Sequence, residues 1–292
     1  MGILLQDVRY GLRMLAKNPS FTIVAVVTLA LGIGGNAAMF SIVNALLLRA
    51  LPYAQPHRLV RVTGFYPKGA LVALQQETRT MDVAGFTSES EFNLTGQGEA
   101  VRLVGSEVSA DLFSVLGVGT ELGRTFSAGE DQPGRDRLVV LSDALWKGKF
   151  GGDPNILGRV ITLEGVDRQV VGVMPRDFGF PSPRVQFWMP LHLDPGISFD
   201  FWNTGFMPVV GRLRPGTNLA QARNELRPLI AHIIRLFPYT MAPNWNADAT
   251  VIPLQQDLIV DIRDKLILLQ CAIGLVLLIA CANVANLLLS RA

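Results

Sequence analysis

Three histidines, His57, His192 and His232, are the only imidazoles in the chain. Imidazole is the side chain best suited to proton transfer or metal ligation near neutral pH. No two of them stand at metal-ligand spacing, and there is no H-E-x-x-H helix. No G-x-S-x-G turn presents a serine nucleophile. No G-x-x-x-x-G-K-[ST] loop cradles phosphates, so ATP is not bound by a P-loop. Gly117-x-Gly119-x-x-x-Gly123 lacks the spacing of a dinucleotide turn, and no strong strand leads into it, so these read as loop glycines. Carboxylates are plentiful, but nothing singles out a pair. Trp146, Trp188, Trp202 and Trp245 read as core or rim residues rather than a ligand cage. Cys271 and Cys281, ten residues apart, would lie ~15 Å apart along a helix, beyond disulfide reach. The residues thus offer no catalytic, cofactor-binding or metal-binding set, and no enzyme activity is expected.

Other residues must therefore carry function, and the longest elements are the place to look. Phe21–Leu48 (FTIVAVVTLALGIGGNAAMFSIVNALLL) has no charged residue. As a helix it would reach about 42 Å, more than the ~30 Å hydrocarbon core, and it is apolar all round. It reads as a transmembrane helix over 21–48; a cleaved signal peptide would have a shorter apolar stretch and a small-residue cleavage site. Leu266–Leu289 is also uncharged, between Lys265 and Arg291, and gives a second span over 266–290. Arg9, Arg13 and Lys17 against Asp7 place the N-terminus in the cytoplasm by the positive-inside rule. Residues 49–265 are then extracytoplasmic.

Net charge is +2. Most of it sits outside the central segment, which is left near neutral and without a basic footprint for nucleic acid. Ile3, Leu4, Val8, Leu12 and Leu15 form one apolar helical face, so residues 1–20 read as an amphipathic helix in the membrane interface, broken at Asn18-Pro19. Gly32, Gly35 and the neighbouring Gly34, Ala37 and Ala38 permit close helix approach in lipid. Asn36, Asn283 and Asn286 are amides that need partners there. These residues are the helix-packing candidates.

The central segment mixes strands and helices in an α+β pattern. Strands are expected at Leu59–Thr63, Phe92–Thr95, Glu99–Glu107, Leu138–Leu141, Arg159–Leu163, Gln169–Val173, Met207–Leu213 and Ala249–Pro253. Helices are expected at Gly69–Met81, Ser109–Leu116, Ala144–Phe150 and Leu219–Phe237. The last carries a stripe of Leu219, Ala222, Leu226, Leu229, Ile233 and Phe237, and Pro228 is expected to kink it.

Several stretches resemble MacB/FtsX-type ABC transporter permeases, of the duplicated orphan kind. They are Leu5–Leu15 (LQDVRYGLRML), Asn18-Pro19-Ser20-Phe21, Ala30–Asn36 (ALGIGGN), Leu46–Tyr53 with Leu59-Val60, Val108–Phe113 (VSADLF), Gly123–Phe126, Val139–Ser142, Gly158–Val173, Phe187–Leu191 (FWMPL) and Cys281–Ala292 (CANVANLLLSRA). The resemblance covers the whole chain. It implies a MacB-like periplasmic core: a porter-like lobe from 56–108 and 206–260 with a small lobe, 109–205, inserted. It implies the bacterial inner membrane, membrane lipid around the spans, a partner ABC ATPase, a homodimer or pseudo-dimer with a second permease half, and a periplasmic adaptor. It further implies that ATP-driven helix motion is passed to the periplasmic domain for export or mechanotransmission. The ATPase-facing candidates are Asp7, Arg9, Arg13, Lys17 and Arg291.

A half of this type continues past its second helix into a cytoplasmic segment and two more spans. A chain ending at Ala292 is thus expected to be a fragment or truncated product that binds the ATPase weakly. The competing reading is a two-span sensor or scaffold whose periplasmic lobe binds a partner without transport. A membrane-tethered hydrolase fits neither the residues nor the resemblance.

Overall fold

The structure, a computed structural model, describes residues 52–96 and 98–257, together with helical positions scattered through 19–37 and 268–282. It divides into two compact units, Ala50–Asp257 and the two flanks Met1–Arg49 with Leu258–Ala292.

In the first unit, β1 (Leu59–Tyr66) is followed by α1 (Lys68–Glu77), β2 (Met81–Gly85), β3 (Ser90–Thr95) and β4 (Val101–Val108). Then come α2 (Leu112–Leu116), β5 (Leu122–Gly123), β6 (Leu138–Leu141), α3 (Asp143–Phe150), β7 (Val160–Leu163) and β8 (Val166–Val173). The unit closes with β9 (Phe187–Pro190), α4 (Ser198–Asn203), β10 (Met207–Leu213), α5 (Leu219–Ile234) and β11 (Val251–Pro253). The local signals act as their chemistry dictates. Ser142 Oγ caps α3 by accepting from the Leu145 amide at 3.2 Å. Asn218 and Gln221 form a reciprocal capping box on α5. Gly117, at φ 67°, ends α2 in the left-handed region that glycine enters freely.

Two sheets result. One is antiparallel with order β11-β1-β10-β2. Its strands are apolar on both faces because both are covered. Val60, Val62, Met81, Val83 and Val209 pack with Leu71, Leu226 and Ile233 from α1 and α5. Leu59, Ala84 and Val210 pack instead with Phe113 of α2, Val108 and Trp188. The second sheet runs β5-β8-β6-β9-β4-β3-β7, and β7 also pairs with β8. Strands β8, β6, β9, β4, β3 and β7 therefore close a ring. Leu94, Leu103, Val139, Leu141, Ile161, Leu163, Val170 and Phe187 share its core with α3.

Hydrogen bonding redraws the lobes expected from sequence. The hairpin of β3 and β4, within the 56–108 segment expected in the porter-like lobe, hydrogen-bonds into the ring rather than the four-stranded sheet. The ring of strands therefore takes in residues from Ser90 onward. The reason is long-range: β4 runs parallel to β9, a partner some eighty residues away that no local pattern announces. Helix α5 ends at Ile234, with Arg235 as its C-cap, rather than at Phe237, and Pro238 keeps Phe237 itself out of helical geometry. The expected kink at Pro228 does not divide α5. Pro228 and Asn224, whose carbonyl loses its helical donor, both lie on the solvent-exposed face of the helix.

Glu225 of α5 holds the α1–β2 turn. Its carboxylate accepts from the Arg79 amide (2.8 Å), the Thr80 amide and Thr78 Oγ1 (both 3.0 Å), and the Thr80 hydroxyl. Burial works against its charge, but these bonds prevail and hold its pKa below the usual 4.5. A depressed carboxylate stabilises the fold above its unfolded pKa, and that contribution disappears as pH falls through the folded value. Glu225→Gln should cost about 1–2 kcal/mol at pH 7. It should also flatten the pH dependence of stability below 4.5, as read by denaturant titration across pH.

Among the described residues no helix is long and apolar enough to cross a membrane. Most of the expected spans, 21–48 and 266–290, lie outside the described residues, as does the expected interfacial helix apart from Pro19. The described positions within both runs are helical. Ile23, Val26, Val27 and Ile33 in the first, and Leu268, Leu269, Leu275, Leu278 and Ile279 in the second, carry exposed aliphatic side chains.

Candidate functional site

The chain enters the four-stranded sheet through β1 and leaves it through β11. These strands are adjacent and antiparallel, with Val60 opposite Pro253. Arriving and departing segments therefore share one end of the sheet, and arginines crowd that end. Arg58 donates to the Leu213 carbonyl from Nε (2.8 Å) and Nη2 (2.5 Å), and to Gln55 Oε1 from Nη1 (2.5 Å). Arg223 of α5 donates from Nε to the Val251 carbonyl at 2.7 Å. Arg61, on β1, is only 9% exposed. Its Nη1 donates to the Val62 and Val209 carbonyls at 2.6 and 2.7 Å, and its Nε lies 3.3 Å from Asp257 Oδ2. Burial lowers its pKa, and the Asp257 charge opposes that shift. Arginine holds its proton through such shifts, so a cation is fixed inside the fold with carbonyls and one carboxylate for company.

A cleft opens elsewhere on the same unit. Cavities of ≈310 Å³ and ≈550 Å³ share Gln75 and Asp111. Burial, then the Asp131 and Asp82 charges, push the Asp111 carboxyl up. The other two carboxylates already have partners: Asp82 is bonded by Arg214 at 2.8 Å and Asp131 by the Ala110 amide at 2.9 Å. Arg212 forms part of the wall and donates from Nε to the Val115 carbonyl at 2.6 Å.

Further polar pairs lie elsewhere on this unit. Lys68 pairs with Asp200 at 2.6 Å, and His192 Nδ1 lies 2.8 Å from Asp136 Oδ2. Between them burial pushes the Glu107 carboxyl up, against the pull of Lys68, Arg168 and His192. His232 Nε2 lies 3.2 Å from Glu77 Oε1, and His57 is exposed. The three imidazoles thus stay apart, and among the described residues no group of three or more His, Cys, Asp or Glu is placed to hold a metal ion.

Of the residues singled out from sequence, Gly35 is described, and a Cβ there would stand 3.4 Å from Ile273 Cγ2, between the first uncharged run and the second. Gly32, Asn36, Asn283 and Asn286 lie outside the described residues, as do Asp7, Arg9, Arg13, Lys17 and Arg291. Sequence reasoning missed Arg61 and Asp257. Asp257 looks like an ordinary linker charge, and Arg61 in Leu59-Val60-Arg61-Val62 looks like an exposed strand position.

The family described as MacB-like periplasmic core domain matches residues 22–229. A curated relative, the macrolide export ATP-binding/permease protein MacB of Chromobacterium violaceum, is 35% identical over 104 residues, 33% of this chain. The chain spans 16% of that relative's length. The periplasmic region of MacB from Actinobacillus actinomycetemcomitans superposes with TM-score 0.49 at 14% identity, covering 70% of this chain and 92% of that one. The extracellular domain of the noncanonic ABC-type transporter YknZ from Gram-positive bacteria gives TM-score 0.43 at 13% identity, covering 66% and 96%.

Proposed function

The chain belongs to the MacB-like periplasmic core domain family, and from that premise we propose that it is an ABC transporter permease subunit that moves its outer domain at the expense of ATP hydrolysed elsewhere. Two helices, 21–48 and 266–290, hold it in the bacterial inner membrane, with the N-terminus cytoplasmic and 49–265 periplasmic. A partner ABC ATPase docks on the cytoplasmic side through Asp7, Arg9, Arg13, Lys17 and Arg291. A second permease half completes the membrane unit, and a periplasmic adaptor receives the motion for export or mechanotransmission. The observation that carries this reading is the family match itself, which runs from residue 22, inside the first uncharged run, to residue 229 in α5. Exposed aliphatic residues at the described helical positions of both uncharged runs support it, because lipid or a partner would cover such side chains.

Topology is the first test. In a background with Cys271 and Cys281 replaced by serine, a cysteine at Glu99 should react with a membrane-impermeant thiol reagent in spheroplasts, and one at Gln6 should not. The reverse pattern sinks the proposal. The sensor alternative is separated by ATPase assays on the reconstituted permease with its ATPase subunit: the proposal expects the permease to change the hydrolysis rate, and a sensor leaves it unaltered.

Gly35 is proposed as a packing position between the two spans. A Cβ there would meet Ile273 Cγ2 at an ordinary contact distance of 3.4 Å, so a methyl group fits, and a longer side chain is expected to press on Ile273. Spin labels at Ile33 and Leu275 should report an unchanged distance in Gly35→Ala and a longer one in Gly35→Leu, by about 2 Å, the range over which contact side chains set the interaxial distance. An unchanged distance in Gly35→Leu would place Gly35 facing lipid.

A further inference from the structure

The exit from the domain is built as a tie rather than a linker. Residues 254–257 form a helical turn directly after β11. Leu254 is buried in the core shared by the two lobes, beside Leu59 and Phe86. Asp257, three residues on and so on the same face of the turn, reaches back to Arg61. Arg61 in turn holds the Val62 carbonyl on β1 and the Val209 carbonyl on β10, and its guanidinium carbon lies 6.0 Å from the centre of the Phe86 ring. Phe86 packs edge-on against Phe180 of the ring lobe at 4.7 Å. One buried cation therefore touches the exit turn, the two central strands of the sheet and an aromatic ring of the shared core.

We infer that Arg61 and Asp257 are positioning residues that fix the departing segment to the middle of the four-stranded sheet, so that displacement of that segment moves the sheet as a body. The physical ground is asymmetry. Arg61 stays charged, and two carbonyls do not neutralise it, so loss of the Asp257 charge leaves a buried cation without its counter-ion. Water must then enter, and the turn and β1 loosen together. A flexible linker would instead absorb displacement before it reached β1. The inference rests on the proposed membrane role only in giving the displacement a source.

The test is hydrogen exchange on the full chain in lipid nanodiscs, followed in peptides covering 59–66 and 251–257. In Asp257→Asn, amides in both peptides should exchange about tenfold faster or more than in the wild type. Asp257→Glu, which keeps the charge, should stay near wild type, and Asp248→Asn, at an exposed carboxylate before β11, should change neither peptide. Arg61→Lys keeps the charge but lacks the planar fork that serves three acceptors. It should loosen both peptides too, and it carries the test if Asp257→Asn does not fold. Unchanged exchange in the folded variants overturns the inference. So does acceleration confined to 251–257, which would make the pair a local staple. Loosening of both peptides together with reversed cysteine labelling would keep the tie and remove only the membrane role.

Discussion

Trp188→Ala should destabilise the domain by about 3–5 kcal/mol, the range for emptying a fully buried aromatic site. Trp188 has no exposed surface and lies where the two lobes share a core. Its ring meets Phe178 at 5.0 Å and Phe113 at 6.1 Å, both edge-on. Its Nε1 donates to the Phe180 carbonyl at 2.6 Å. Alanine leaves a void that β9 and α2 cannot collapse into, because each is held by its own sheet or glycine cap. It also strands a buried acceptor. Trp188→Phe keeps much of the ring and loses the donor, and should cost about 1–3 kcal/mol. Urea denaturation with circular dichroism measures both. A further outcome is specific to the site: if this core couples the lobes, the alanine variant should unfold in two steps. A single step with a small shift would mean that the lobes hold together by other means.

Gly105→Val is expected to cost about 3 kcal/mol, at the upper end for overpacking a core. Gly105 lies on β4 between Ser90 and Phe187. A Cβ there would stand 2.3 Å from Phe187 Cζ, with the two neighbouring ring carbons at 2.6 and 2.8 Å. Phe187 fills the middle of the ring of strands and stacks edge-on with Phe92 at 5.4 Å. It therefore has nowhere to turn. The cost is steric and not conformational, so it should be relieved by trimming the partner. Gly105→Ala with Phe187→Leu should be more stable than the two single losses summed, by about 1–2 kcal/mol. Additive losses in denaturant titrations would contradict that account.

How legible was this in the sequence? The strand Leu138–Leu141, the strand Met207–Leu213 and the buried stripe of α5 were written in period and caps, which are local. The hairpin around Gly165 was written in its turn. Strand β9 was not, because Phe187-Trp188-Met189-Pro190 is buried at every position and shows no alternation. Nor was the closure of the ring, which depends on the pairing of β4 with β9 and of β3 with β7, across long stretches of chain. Arg61 was not legible, because only the register of β1 against β10 and β11 puts it inside.

The adjacency of β1 and β11 has a consequence for chain statistics. Neighbouring strands lie about 4.8 Å apart, so the whole domain bridges a gap that a tight turn could span. Closing a disordered loop of some two hundred residues would cost about 3.5 kcal/mol more than closing one of four. Once the domain is folded that difference vanishes. To the two flanking runs, two hundred residues then count as a hairpin turn. A segment of this kind can be lengthened, shortened or exchanged for another with the same closely spaced ends without altering the entropy of bringing the flanks together.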